Sequence, residues 1–234
     1  MSRALCKQCQ RPTVACICNF ICNIDNPTAV LVLQHPSEVK QTKGTVALLS
    51  RSLNQCKVLV GEDFTDNDEL NYMLDNYQAL LLYPSKESKV LSSAHIEQNS
   101  VNTVHEHKVY QPKLLIILDG TWKKAYRMLM LSSNLQALKQ VCLPDSLANR
   151  GQYLIRKVAK KNALSSLEAC CFALALLEGE IRDNALSCRE VENTQSTENT
   201  LYNNEKDMDY GLYQGLLNKF AQFNQFQLSF RPSI

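Results

Sequence analysis

Four runs of apolar residues limit the possible folds of this chain more than any other feature. They cover residues 29–34, 57–61, 79–83 and 114–118, and each is about as long as one strand. Near-continuous apolar runs are typical of strands that are buried on both faces of a parallel sheet. Segments with helical periodicity separate the runs. The sequence therefore predicts an α/β protein whose mostly parallel sheet carries helices on both faces.

The spacing of apolar residues also predicts the helices that cover this sheet. Asp66 is expected to cap one of them. Ser165 or Ser166, with Glu168 in the first turn, is expected to cap the clearest one. The predicted helices cover residues 45–53, 66–75, 121–131, 132–140 and 164–180, and a short strand is predicted over 140–143.

Four of the ten cysteines lie close together near the amino terminus with the spacing C-x2-C-x6-C-x-C: Cys6, Cys9, Cys16 and Cys18. Two close pairs joined by a short loop suit one tetrahedral zinc ion, and four sulfur ligands leave no open position, so this zinc would be structural. The segment is too short to bury a core, and the metal would supply much of its folding energy. Unligated or redox-active thiols are the alternative, whereas a reducing compartment disfavours disulfides.

The formal net charge is +2, so bulk charge does not indicate a nucleic-acid partner. Residues 146–167 nevertheless contain five bases and no acid: Arg150, Arg156, Lys157, Lys160 and Lys161. This stretch is either an ordinary solvated surface or a binding surface for a polyanion. No apolar run approaches the roughly 20 residues that span a bilayer, and the amino terminus lacks the apolar core of a signal peptide. We therefore expect a cytoplasmic protein with no membrane partner.

Polar residues follow three of the predicted strands at the point where each strand ends. The three segments are 35-HPSE-38, 83-YPS-85 and 119-DGTW-122. Ligands of open parallel sheets bind beyond the carboxyl ends of the strands, so these segments predict a site. Two structural interpretations stay open: Asp119 or Thr121 caps the following helix, and Trp122 packs in the core. The sequence has no G-x-G-x-x-G and no Walker A motif, which disfavours a Rossmann dinucleotide site and a P-loop.

Asp119, Thr121 and Trp122 form the D-x-T-W arrangement after which the DTW-domain proteins are named, and the sequence resembles this family in further features. They follow in the same order as in the family: the C-x2-C…C-x-C segment, H-P-x-E (His35, Pro36, Glu38), the Thr/Gly segment (Thr42, Gly44, Thr45), L-x-P (Leu82, Pro84), Tyr-x-x-Arg (Tyr153, Arg156) and a helix start similar to S-T-x-E-A (Ser165 to Ala169). The resemblance covers roughly residues 6–178. Ser166 replaces the family's threonine in the last motif and keeps its hydroxyl group.

The resemblance implies a fold related to the SPOUT methyltransferases, with a C-terminal trefoil knot. Residues 183–234 lie outside the resemblance, and the apolar spacing that begins at Tyr210 predicts a helical extension there. The resemblance implies a catalytic domain at 26–182, which follows a zinc-binding segment at 1–25. It also implies an enzyme that transfers the 3-amino-3-carboxypropyl group of S-adenosylmethionine to N3 of a tRNA uridine and releases 5′-methylthioadenosine. In bacterial members that uridine lies in the variable loop.

The resemblance also suggests roles for individual residues. Asp119 either accepts the N3 proton or orients N3 while a water molecule takes the proton; Thr121 caps the following helix, and Trp122 stacks on the target base. The expected contacts to S-adenosylmethionine are His35, Glu38, Leu82, Tyr83, Pro84, Asp119, Gly120, Tyr153, Leu154, Arg156 and Ser165. The expected contacts to RNA are Lys123, Lys124, Arg127, Arg150 and Lys157. An alternative role for Arg156 is to bind the carboxylate of the transferred group.

Other functions remain open on the sequence alone. A SPOUT-type RNA methyltransferase would use the same cofactor and transfer the methyl group, and a transferase that acts on ribosomal RNA would differ only in its nucleic acid. A non-catalytic, zinc-containing RNA-binding protein would explain the four cysteines and the basic stretch. It would not need Asp119 or the segment that begins at His35.

Overall fold

The computed structural model of the protein describes residues 4–41, 44–91, 111–148, 150–151, 164–179, 182–183 and 208–230. Its strands are β1 (Ala29–Gln34), β2 (Cys56–Val60), β3 (Gln78–Leu82), β4 (Lys89–Val90), β5 (Lys113–Asp119), β6 (Lys139–Cys142), β7 (Arg182–Asp183) and β8 (Met208–Asp209). Its α-helices are α1 (Val46–Ser52), α2 (Asp68–Asn76), α3 (Trp122–Leu131), α4 (Ser133–Gln136), α5 (Asp145–Ala148), α6 (Ser166–Leu177) and α7 (Gln214–Leu228). Short 3-10 turns lie at Thr13–Ala15, Cys18–Phe20, Pro36–Glu38 and Gly211–Tyr213.

The first six strands form one parallel sheet in the order β2-β1-β5-β3-β6-β4, and β7 pairs with β8 in an antiparallel ladder. This sheet confirms the α/β prediction. Every residue of β1 is buried, and so is β5 from its second residue to its last. Burial on both faces explains why β1 and β5 carry apolar residues without alternation.

Alternate residues of β1 and of β5 pack into two separate cores. Val30 and Val32 of β1 belong to the core that also contains α1, α6 and α7. Leu31 and Leu33 belong to the core on the opposite face, with α2 and α3. Successive side chains of a strand point to opposite faces, so one apolar run contributes to both layers. The helices on both faces were expected from the sequence.

The helices that follow β1 and β5 lie on opposite faces of the sheet, and they lead to strands on opposite sides of this pair. From β1 the chain passes through α1 to β2, whereas from β5 it passes through α3 to β6. The carboxyl ends of two such neighbouring strands form a topological switch point, where open α/β sheets bind ligands. Gln34 and Asp119 are partners in the register and are the last residues of β1 and β5. Two of the predicted site segments, 35–38 and 119–122, therefore begin at neighbouring strand ends.

The observed cap agrees with the predicted one at α6 but not at α2. Ser165 and Glu168 form the predicted capping box of α6, with hydrogen bonds of 3.2 and 2.8 Å. The predicted Asp66 cap is wrong, because α2 is capped by Asn67, whose Oδ1 accepts the Leu70 N–H at 2.8 Å. Adjacent Asp and Asn residues are equally good caps, so the sequence alone does not choose between them.

The helix predicted over 132–140 is shorter in the structure, because α4 ends at 136 and β6 begins at 139.

The two ends of the described chain pack on the same core. The Phe20 ring lies 5.5 Å from that of Phe223 and 5.4 Å from that of Phe226, both in α7, and Ile17 is buried. Helix α7 accounts for part of the predicted helical extension, while residues 184–207 lie outside the described residues. The predicted domain boundaries stay predictions. Among the described residues, no helix has the length and apolar character needed to cross a membrane.

Candidate active site and metal centre

The carboxylate of Asp119 lies at the switch point and is held on both of its oxygens. Its Oδ2 accepts a hydrogen bond of 2.9 Å from the side-chain amide of Gln34, and its Oδ1 accepts one of 2.6 Å from the hydroxyl of Ser166. Asp119 is only 6% exposed. Each carboxylate oxygen has two lone pairs, so both oxygens keep the capacity to accept a further proton or hydrogen bond. The side chain is thus fixed in orientation and still able to act on a ligand.

His35 follows β1 and joins the same cluster from the neighbouring strand. Its backbone N–H donates to the Asp119 carbonyl at 3.0 Å. Its Nδ1 accepts the Ser37 N–H at 3.2 Å, and its Nε2 lies 2.9 Å from Oε1 of Glu62. Because Nδ1 is an acceptor, Nε2 is the nitrogen that carries a proton toward Glu62. Arg127 pairs with the other oxygen of Glu62 at 3.3 Å, so Glu62 ties β1 to α3.

Glu38 and Lys124 form an ion pair at the edge of this cluster. Lys124 Nζ lies 2.7 Å from Glu38 Oε1 and 2.6 Å from the Ser37 hydroxyl. Glu38 is buried and Lys124 is half-buried. A buried carboxylate requires a partner of this kind. Lys124 was predicted to contact RNA phosphates, and the structure brings its side chain to the segment after β1.

The start of α3 is built by Gly120 and Thr121. The Thr121 hydroxyl accepts the Lys124 N–H at 3.4 Å, so Thr121 is the N-cap, as predicted, and the Asp119 side chain does not serve as the cap. A Cβ atom at position 120 would lie 3.1 Å from the Lys124 Cβ and 3.7 Å from the His35 Cβ. Glycine at this position lets α3 approach the end of β1 closely.

Trp122 is on the surface, which excludes the alternative that it packs in the core. It is 65% exposed, and its ring lies 6.4 Å from that of Tyr83, edge to face. Partial burial, with the nearby Tyr126 hydroxyl as a smaller cause, raises the pKa of Tyr83. Tyr126 lies one helical turn after Trp122 and is also exposed. Tyr83 thus lies near both exposed rings, and the three residues form an aromatic surface at the first turns of α3.

The remaining predicted site residues are dispersed. Leu82 is buried at the end of β3, while Pro84 and Lys123 are exposed. Arg150 donates to the Ser146 carbonyl at 3.0 Å and lies near Tyr210. The predicted contacts that lie outside the described residues are Tyr153, Leu154, Arg156 and Lys157.

Sequence reasoning missed three residues that shape the cluster, namely Gln34, Glu62 and Ser166. Gln34 is the one polar residue of β1 and is its last residue, a position that points to the strand end. Ser166 was considered as an N-cap and as the replacement for a family threonine, but the contact with Asp119 was not predicted. Nothing in the local pattern around Glu62 distinguishes it from the other acids of its segment.

The four predicted cysteines converge on one point. Their sulfur atoms all lie within 4.8 Å of one another, and pairs are separated by 3.7 Å (Cys6 and Cys18), 3.7 Å (Cys9 and Cys16) and 3.5 Å (Cys6 and Cys16). A tetrahedral ion with metal–sulfur bonds near ~2.3 Å requires sulfur atoms about 3.8 Å apart. A disulfide would need about 2.05 Å. The geometry therefore fits a metal ion.

Two tight turns present these sulfurs. The first is closed by hydrogen bonds from the Cys6 N–H to the Arg11 carbonyl (2.7 Å) and from the Gln10 N–H to the Cys6 carbonyl (2.9 Å). Gln10 adopts a left-handed backbone with φ of 59°. Backbone N–H groups of Cys9 and Gln8, with a contribution from Cys16, lower the pKa of Cys6 to about 6. Thiolate is the form that binds metal, so this turn favours the ligand state.

The fold and the two clusters define a class before any relative is considered. The chain is an α/β protein with a parallel sheet, a cluster of polar side chains at its switch point and a group of four cysteines that could hold a metal ion. A single family model covers nearly all of it: the DTW domain matches residues 3–228. The chain belongs to the DTW-domain family.

Curated relatives carry an enzyme's name. A protein of Macaca fascicularis named tRNA-uridine aminocarboxypropyltransferase 2 is 34% identical over 182 residues, which cover 75% of this chain and 57% of the relative. A protein of Drosophila melanogaster with the same name is 32% identical over 183 residues, covering 75% of this chain and 67% of the relative. A protein of Arabidopsis thaliana named tRNA-uridine aminocarboxypropyltransferase A is 27% identical over 137 residues, covering 56% of this chain and 52% of the relative. The chain thus spans about half to two thirds of the length of these relatives. No solved structure shows a significant match.

Proposed function

We propose that this protein transfers the 3-amino-3-carboxypropyl group of S-adenosylmethionine to N3 of a uridine in tRNA. The observation that carries the proposal is the Asp119 carboxylate, which is buried at the switch point and held by Gln34 and Ser166, with an exposed tryptophan three residues later. A protein that only binds RNA and catalyses no reaction does not require a buried carboxylate held in one orientation. The names of the relatives support the same reaction.

The reaction requires a proton acceptor and accurate alignment. The N3 lone pair forms a bond to the methionine γ-carbon, the bond from that carbon to sulfur breaks with its electrons going to sulfur, and 5′-methylthioadenosine leaves. The N3 proton goes to Asp119, either directly or through a water molecule that the carboxylate orients. The sulfonium is already a good leaving group, so most of the gain comes from holding the two reactants in line.

The pair of Glu38 and Lys124 supports a binding place for the aminocarboxypropyl tail of S-adenosylmethionine. The tail carries an ammonium and a carboxylate, which fit the Glu38 carboxylate and the Lys124 ammonium as charge-assisted hydrogen bonds. The 2.7 Å contact between the two side chains neutralises both charges before a ligand arrives. In this proposal Lys124 contacts the tail, whereas Lys123 and Arg127 face the RNA.

The aromatic surface of Tyr83, Trp122 and Tyr126 supports binding of unpaired bases. Stacking of a base on an aromatic side chain is worth about 1–3 kcal/mol. Trp122 is the nearest of the three to Asp119 in sequence, so we assign the target uridine to it. A variable-loop uridine in tRNA fits this surface, because the base must leave its stack to reach an enzyme.

The other finer features are proposed on the resemblance to the family and on the chemistry of the side chains. They are the contacts of His35, Leu82, Tyr83, Pro84, Gly120 and Ser165 to S-adenosylmethionine, the SPOUT-type knotted fold and a cytoplasmic location. For the four cysteines we propose zinc. The sulfur spacing fits it, and four protein ligands make the ion structural.

Purified protein, unmodified tRNA and two forms of labelled S-adenosylmethionine test the proposal. One form carries the label on the methyl group and the other on the carboxypropyl chain. We expect label in the RNA from the second form alone. Methyl label in the RNA would replace the proposal with a methyltransferase. Absence of both labels, together with no thermal stabilisation by S-adenosylmethionine, would leave a binding protein.

A further inference from the structure

The exposed side of α3 repeats one pair of residue types after a single helical turn. Trp122 is followed by Lys123, and Tyr126 is followed by Arg127. Residues four positions apart lie on the same side of an α-helix, so the two rings share one side and the two cations lie next to it. Trp122 is 65% exposed and Tyr126 is 56% exposed. The proposed function assigns a base to Trp122 and leaves Tyr126 without one of its own.

The Tyr126 ring is not needed to attach α3 to the sheet. The helix packs on the core through three other residues, which are Ala125, Met128 and Leu129. Aromatic rings beside cations are the composition of surfaces that bind single-stranded nucleic acid. The cores of protein–protein interfaces, by contrast, are depleted in lysine. The composition of this side of α3 therefore favours RNA over a second protein chain.

The two cations differ in how far their charges are compensated. Arg127 pairs with Glu62 at 3.3 Å, which offsets part of its charge, although its side chain remains 67% exposed. Lys123 is exposed and forms no ion pair with any residue that the structure describes. Lys123 is therefore the stronger attraction for a phosphate beside the two rings.

The spacing of the two rings determines the kind of strand that can contact both. Four residues of an α-helix advance about 6 Å along its axis. Successive bases of a paired strand lie about 3.4 Å apart. A paired strand is therefore too compact to place one base on each ring, whereas an unpaired strand can extend to this distance.

We propose that Tyr126 stacks on a base adjacent to the target uridine, so that the substrate presents two consecutive unpaired nucleotides. This inference rests on the proposed function and deepens it, because it sets the length of single strand that the enzyme contacts. Stacking accepts any base, since every base has an aromatic face. The adjacent nucleotide should therefore need a base, but any of the four bases should serve.

The test combines changes in the protein with changes in the tRNA. The tRNA is assembled from synthetic fragments, and the nucleotide on the 5′ or the 3′ side of the labelled uridine is made abasic or given each of the four bases. Transfer of the carboxypropyl label to these substrates is measured for the wild-type protein, Tyr126→Ala and Tyr126→Phe. Tyr72→Ala is the matched control, because Tyr72 is a tyrosine of α2 that is 67% exposed.

We expect one of the two abasic substitutions to lower kcat/KM of the wild-type protein about 5–150-fold, and base changes at that position to have little effect. Tyr126→Ala should lose a similar factor on intact tRNA and no more on the abasic tRNA, because ring and base form one interaction. Tyr126→Phe and Tyr72→Ala should respond to the abasic tRNA as the wild-type protein does.

Two results would overturn the inference and leave the proposed function intact. The first is wild-type transfer that tolerates an abasic nucleotide on either side, a result that does not depend on how any variant folds. The second is additive losses in Tyr126→Ala, because a ring that acts only through the fold does not distinguish which base is missing. A dimer that Tyr126→Ala dissociates, without this coupling to the RNA, would assign the surface to a second copy of the chain. Wild-type protein that transfers no label to intact tRNA would overturn the proposed function together with the inference.

Discussion

The group of four cysteines and the Asp119 cluster differ in how far apart in the chain their members lie. The most widely separated of the four cysteines, Cys6 and Cys18, lie 12 positions apart. Asp119 receives its hydrogen bonds from Gln34, 85 positions away, and from Ser166, 47 positions away. The first cluster thus forms from local turns, and the second exists only when the whole sheet is folded. A change in the first should therefore affect stability, and a change in the second should affect activity.

The largest expected effect comes from the metal centre. Cys9→Ser should abolish metal binding, which in small zinc sites is worth about 10–16 kcal/mol, and should lower the melting temperature by releasing the amino-terminal segment from α7. Metal analysis and thermal unfolding measure the two effects. Cys22→Ser is the control, because Cys22 lies outside the group of converging sulfurs, and it should keep the metal. Retention of a full metal complement by Cys9→Ser would contradict the four-ligand site.

The next effect concerns Asp119 itself. Asp119→Asn keeps the shape of the side chain and removes its ability to take a proton, so turnover should fall about 10²–10⁴-fold. The metal content, the melting temperature and the binding of S-adenosylmethionine should change little. Single-turnover kinetics with labelled S-adenosylmethionine measure the loss. Turnover within a few-fold of wild type would exclude the role of base.

A smaller effect is expected at Ser166, whose hydroxyl donates a hydrogen bond to Asp119 and for which we propose a positioning role. Ser166→Ala removes a hydrogen bond of 2.6 Å to a buried carboxylate, worth about 1.5–3 kcal/mol, so kcat should fall about 10–100-fold with little change in KM. Ser166→Thr keeps the hydroxyl and should recover most of the rate. Equal losses in both variants would show that packing at the start of α6, not the hydrogen bond, sets the rate.

The smallest effect is expected at Trp122, on the surface of the site. Trp122→Ala should weaken tRNA binding by about 1–3 kcal/mol, whereas Trp122→Phe should keep most of the affinity, because any aromatic face can stack on a base. Binding of fluorescent tRNA measures both variants. The melting temperature should not change, because the ring is 65% exposed. Loss of stability with unchanged affinity would assign the residue a structural role.

The same contrast explains how much could be predicted from the sequence. The four strand segments, the capping box of α6 and the four cysteines depend on residues close to one another in the chain, and the structure confirms them. The Asp66 cap failed for a local reason, since Asn67 offers an equivalent side chain one position later. Local sequence patterns therefore predict turns, helix caps and strand segments.

The partners of Asp119 depend on strand order and register, which local patterns do not define. Gln34 meets Asp119 because β1 and β5 are neighbours in the sheet and their last residues are aligned. Lys124 looked like part of a basic surface, but its Nζ lies 2.7 Å from Oε1 of Glu38, a residue 86 positions away in the chain. The structure does bring polar side chains together at these strand ends, but the sequence could not say which of them would meet.

Nucleoside analysis of tRNA tests the central claim most directly. Cells that lack the protein would receive either the wild-type chain, the Asp119→Asn variant or no gene, and their tRNA would be digested and analysed by mass spectrometry. The account predicts uridine that carries the 3-amino-3-carboxypropyl group with the wild-type chain only. The same nucleoside in all three samples, or methylated uridine in its place, would contradict it.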